Sequence, residues 1–278
     1  MFDIAVTGAP ATDGQWGRAG QAGVLPAELP DCPDTALDIG AALEQSSARL
    51  RAIYRDYPRV YAVALMAEQP RRRWWSLRQG MRQDRLDVMV DRAAEELGSR
   101  EAAGVAVTTA LIHAVVGRVA ALVMLEGRAW DAHLDNLWLH LDSDGGVDWA
   151  GVVDPVLRVL PGDRWAGTPS AVTLPCEEAL LVWTACRCRQ ALTAVFDALD
   201  EVVPTDRARA WALVGEAVLG AATMVPALGG VGESVAMRRG QGLLDAFESA
   251  GLSVRMRANR QLPRGVRAPE PTAQGLAH

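Results

Sequence analysis

Residues 136–154 read Asn136-Leu137-Trp138-Leu139-His140-Leu141-Asp142-Ser143-Asp144-Gly145-Gly146-Val147-Asp148-Trp149-Ala150-Gly151-Val152-Val153-Asp154. Leu137, Leu139 and Leu141 alternate with Trp138, His140 and Asp142, the period of two expected of a strand with one face on a core. Ser143-Asp144-Gly145-Gly146 is turn chemistry, and residues 147–153 make the return strand. The pattern predicts a β-hairpin in mid-chain, with Trp138, His140 and Asp142 sharing one face.

Outward from the hairpin the sequence is helical. Upstream, residues 34–57 place Leu37, Ile39, Leu43, Leu50 and Ile53 near helical spacing, and Pro58 stops the run. Residues 60–66 are apolar and fit either a strand or a helix. Arg71-Arg72-Arg73-Trp74-Trp75 follows a proline and reads as a connection. Residues 82–97 form a helix with Leu86, Val90 and Ala94 inward. A long apolar helix then covers 102–125 and ends at Gly127. Downstream, residues 155–175 read as a loop. Helices are expected over 176–199 and 205–223, the second opened by Pro204-Thr205-Asp206. Gly229-Gly230 and Gly232 precede a last helix over 234–250, closed by Gly251. Residues 252–256 fit a short strand. The expected fold class is α+β, mostly α-helical, with helices packed around a small antiparallel hairpin or sheet. Residues 1–33 are expected to be a flexible lead-in, 34–258 one globular domain and 259–278 a flexible tail.

Composition narrows the function classes. Of 278 residues, 50% are hydrophobic and 22% charged, which fits a globular chain and not a disordered one. The formal charge of −6 gives no support to nucleic-acid binding. All 28 basic residues are arginine, so neither a Schiff-base nor a P-loop lysine exists. The 102–125 run is long enough to span a bilayer, but His113 and Arg118 in its middle favour a buried core helix over stable membrane insertion. No secretory pattern opens the chain, and a cytoplasmic location is expected. Gly229-Gly230-Val231-Gly232 follows a helix and so lacks the context of a dinucleotide-binding loop.

Three stretches carry a family resemblance. Val115-Val116-Gly117-Arg118-Val119-Ala120-Ala121-Leu122 runs towards the hairpin Asn136-Leu137-Trp138-Leu139. Ala210-Trp211-Ala212-Leu213-Val214 opens a late helix, and Leu252-Ser253-Val254-Arg255-Met256-Arg257 lies near the end. Together, over residues 60–262, they resemble the FhuF-like ferric-siderophore reductases. That resemblance implies a [2Fe–2S] cluster held by a Cys-Cys pair and a later Cys-x-x-Cys. Here the corresponding place reads Ala258-Asn259-Arg260-Gln261-Leu262-Pro263, and no cysteine follows Cys188. Iron–sulfur clusters need thiolate ligands, or occasionally imidazole, at suitable spacing. The expectation is a family member without its electron carrier, with no resident cofactor and no metal site. Of the remaining cysteines, Cys186 and Cys188 lie two apart on one helix and do not face each other; Cys176, about three turns earlier, shares a side with Cys186 more than with Cys188, and Cys32 sits in the expected flexible lead-in.

Candidate site residues follow from residue chemistry. Arg118, inside an apolar helix with His113 one turn away, needs an anionic group nearby, from Asp, Glu or a ligand. Trp74 and Trp75 beside three arginines could grip a planar or anionic ligand, although adjacent residues of a regular element cannot both point inward. Trp138, Trp149 and Trp165, with Arg158 and Arg164, are expected to line a pocket in the hairpin and its following loop. His140 and Asp154 are the candidate acid–base groups. His133 and Asp135 sit at the hairpin entrance without a metal-ligand spacing, and Asp142, Asp144 and Asp148 read as turn chemistry. The first functional expectation is binding of a ferric siderophore or related small molecule, assisting iron release. The alternative is a tailoring or cyclising step on an apolar biosynthetic intermediate; a non-catalytic partner protein is the third.

Overall fold

The computed structural model describes residues 39–82, 84–143 and 145–254. The expected lead-in, the tail with Ala258–Pro263, Cys32 and Asp144 lie outside the described residues. The chain is α+β and mostly helical. Helix α1 is Ala41–Ile53; it ends before the expected residue 57 because turns from Tyr54 to Tyr61 precede strand β1, Val63–Leu65, and residues 34–38 lie outside the described residues. Strand β2, Trp74–Ser76, is followed by the single turn α2, Leu77–Gly80, and by α3, Arg85–Leu97.

The long apolar helix runs unbroken from Arg100 to Glu126 as α4 (Arg100–Ile112), a π-helical turn (His113–Gly117) and α5 (Arg118–Glu126). The Ser99 hydroxyl caps its start by accepting from the Ala102 N–H, and Gly127, at φ +67°, ends it with its N–H on the Val123 carbonyl. Every residue from Arg118 to Leu125 is buried. A helix apolar on all sides must be wrapped, and here α7 and α8 pack against α5. The second helix of membrane-spanning length and composition, α7, is buried over much less of its surface.

The hairpin strands are β3, Leu137–Leu141, and β4, Val147–Val152. They sit in a four-stranded sheet of order β1-β4-β3-β2. The sheet is mixed, not wholly antiparallel, because β1 runs parallel to β4 with Val63 opposite Ala150. Residues 74–76 correct the expected connection: they form an edge strand, with Trp75 opposite Leu139. Both faces of this sheet are covered, which is why Trp74 and Trp75 are both buried. Trp75 joins Leu137, Leu139, Ala150 and Val152 in the main core. Trp74 packs with Ala64 and Met66 on the opposite face, flanked by Trp138 and Trp149.

The expected 155–175 loop contains a small parallel pair, β5 (Leu157–Val159) with β6 (Ala171–Thr173). Helices α6 (Glu177–Val202), α7 (Arg207–Gly229) and α8 (Glu233–Ser249) follow. The Asp206 carboxylate caps α7 through the Ala208 and Arg209 N–H groups. Residues 252–254, expected as part of a strand, are irregular.

Candidate functional site

The π turn widens the long helix where it passes behind β4 and the 54–60 turn. Such turns insert one extra residue per helical turn and are frequent at functional sites. His113 and Arg118 flank the turn. The His113 Nε2–H donates to the Val60 carbonyl at 2.9 Å, and its ring lies against Tyr61. Burial and the neighbouring Arg118 charge push the His113 pKa down to about 4, so the imidazole is neutral at pH 7. Gly117 is required here: a Cβ on it would lie 2.4 Å from His113 Nδ1.

Arg118 is 2% exposed. Its Nη2 donates to two backbone carbonyls, those of Arg59 and Asp148, each at 3.1 Å. Nε is enclosed and has no partner among the described residues. Burial lowers the Arg118 pKa to about 10, with the Asp148 charge opposing the shift.

Asp148 reaches this place through a β-bulge. His140 pairs with Trp149 and Leu141 with Val147, so Asp148 is the extra residue of β4. A bulge redirects the side chain it carries. Asp148 Oδ1 accepts from His140 Nδ1 at 2.6 Å, and Oδ2 accepts from Arg59 at 2.7 Å. The His140 ring lies 5.1 Å from that of Trp74, and the Arg59 guanidinium covers Trp149 at 4.7 Å. The carboxylate nearest Arg118 is therefore committed to two other partners.

These groups wall a pocket of about 470 Å³ lined by residues 56–60 with His113, Arg118, Val147 and Asp148. Tyr57, Pro58, Val60 and Val147 give it apolar walls, and Arg118 gives it a buried charge. A few placed polar groups on an apolar lining is the usual make-up of a small-molecule site. A wider cleft of about 660 Å³ between α3 and α6 is acidic, but its Asp87 and Asp197 are paired with Arg100 and Arg207.

The structure scatters the expected site residues. Arg118 is in the pocket. His140, Trp74, Trp138 and Trp149 form a layer on the outer sheet face beside it, with Arg71 stacked on Trp138 at 4.9 Å. Trp165 packs against the main core, with Arg164 on its ring, while Arg158 stacks on Trp183. Asp154 is exposed, and its carboxylate closes the next turn through the Val156 N–H. Trp75 is in the main core against Gly80. Tyr57, Arg59, His113 and Asp148 were not among the expected site residues. The sequence signal for them was the unmet need of Arg118 for an anion.

The three described cysteines, Cys176, Cys186 and Cys188, do not come together as iron–sulfur ligands. Cys188 is buried, its thiol 3.9 Å from the Val115 carbonyl, and burial pushes its pKa up. Cys176 is exposed and Cys186 partly so. Among the described residues no group of three His, Cys, Asp or Glu side chains is placed to hold a metal ion. Asp135 is held by Arg78, which keeps its carboxyl below the usual range, with His133 Nδ1 3.4 Å away. No protein-family model, curated protein or solved structure matches the chain.

Proposed function

We propose that this chain is a cluster-free, FhuF-like small-molecule-binding protein that takes a ferric siderophore or related chelate and assists iron release. One observation carries the reading: Arg118, inside the first of the stretches bearing the resemblance, is buried on the lining of the 470 Å³ pocket, beside Val147 and Asp148 of the hairpin's return strand. Arg59 joins the pocket to the ring of Trp149, so occupancy there is coupled to tryptophan emission. The protein's own part is binding and orientation by Arg118, Arg59 and the apolar wall, with electrons for any reduction coming from outside.

Titration with a ferric hydroxamate and a ferric catecholate tests this through fluorescence quenching. Saturable quenching below about 1 mM, lost in a pocket variant such as Tyr57→Ala, is the expected result; this corresponds to at least about 4 kcal/mol of binding. Quenching that is linear in chelate, or equal in the variant, would remove the iron-chelate reading.

A further inference from the structure

We infer that the pocket's ligand presents an oxyanion, in the simplest case a carboxylate, to the Arg118 guanidinium, which makes Arg118 the specificity-determining residue. This rests on the pocket being the binding site proposed above.

The argument is one of charge. Arg118 is 2% exposed, and its two protein partners are neutral carbonyls. Carbonyl dipoles satisfy donors but do not cancel a charge, and an isolated buried charge is expensive. The carboxylate that could cancel it, Asp148, is turned to His140 and Arg59 by the bulge. Arg59 at the rim is paired with that same Asp148 carboxylate, so the two add no net charge. His113, on the other side, is neutral with its Nε2–H committed to Val60, so it supplies no negative charge. Asp56 is the other carboxylate on the lining, and it is exposed on the 54–60 turn. The floor of the pocket is therefore the Arg118 guanidinium, facing an apolar wall of Tyr57, Pro58, Val60 and Val147. Oxyanions suit a guanidinium, since N–H···O bonds between charged groups are about twice as strong as neutral ones. The apolar wall selects an acid with a hydrocarbon or aromatic body over a small inorganic anion.

Benzoate and its neutral isostere benzamide are the probes. Benzoate should raise the melting temperature of the full chain and bind at least about tenfold tighter than benzamide, a difference of about 1.4 kcal/mol. Arg118→Met should remove that preference, and Tyr57→Ala, at an exposed wall residue, should weaken benzoate severalfold. The second variant localises binding if the first does not fold. Equal binding of the two probes, no benzoate effect up to about 20 mM, or a preference surviving Arg118→Met would each overturn the inference. Benzoate binding without chelate binding would remove the iron-chelate reading and leave this inference standing. Chelate binding blind to charge would do the reverse.

Discussion

Two arginines on or just past the same helix, Arg118 and Arg128, solve burial in opposite ways. Arg128 is 8% exposed and sits in a complete ionic cage. Its guanidinium makes a bidentate pair with Asp163 at 2.6 and 3.1 Å, meets Glu126 at 2.8 Å and bonds the Ser46 hydroxyl. Those partners tie α1, the end of α5 and the loop before β6 together. Arg118 is more deeply buried and, among the described residues, hydrogen-bonds to carbonyls alone. A charge the fold compensates is part of its structure. A charge the fold compensates only through carbonyls and a carboxylate shared with two other groups, at the floor of a pocket, is a place for something else to bind.

The contrast can be attacked at each end. The largest effect is expected at the cage: Arg128→Met leaves buried Asp163 without its counter-ion and Glu126 with Arg49 alone, and should cost about 3–5 kcal/mol in urea unfolding. Gly117→Ala forces a methyl into the His113 ring and should cost about 1–3 kcal/mol. The same change should also weaken carboxylate binding, because His113 and Arg118 flank the displaced turn.

Acid titration is the third test. The His113 pKa is about 4 in the folded protein against an ordinary value of 6.5, so between these values the unfolded chain binds more protons. The stabilisation from neutral His113 is full above pH 6.5 and is lost as pH falls towards 4. It should amount to about 2 kcal/mol, allowing for partial exposure. His113→Gln keeps a donor for the Val60 carbonyl and should flatten that slope in urea midpoints measured at pH 7.5 and 4.5. The smallest change is expected at the outer sheet face. Arg71→Ala removes a cation–π contact with Trp138 and should cost under about 1 kcal/mol, with benzoate binding unchanged.

Much of the fold was legible because its main elements are long or strictly periodic. The hairpin showed in Leu137, Leu139 and Leu141, and the core helix in an apolar run too long for a strand. Strands of three residues leave no period to read, so Trp74–Ser76, Leu157–Val159 and Ala171–Thr173 passed for connections. Trp74 and Trp75 misled for a physical reason: adjacent residues are both buried when each sheet face has its own cluster. At the site, Arg118 announced its need for a counter-charge. Its partners did not, since Arg59 and Asp148 lie 59 and 30 residues away and meet it through backbone atoms, which carry no residue signature. The bulge at Asp148 was equally silent, because an aspartate beside a Gly-Gly turn reads as turn chemistry.

Urea unfolding of Arg118→Met and Arg128→Met side by side at pH 7 tests the central claim most directly. Arg118→Met deletes a charge with no direct counter-ion, and its stability should stay within about 1 kcal/mol of the parent, while Arg128→Met loses several. Equal losses in the two variants would mean that Arg118 is as fully compensated by the fold as Arg128, and would contradict the account.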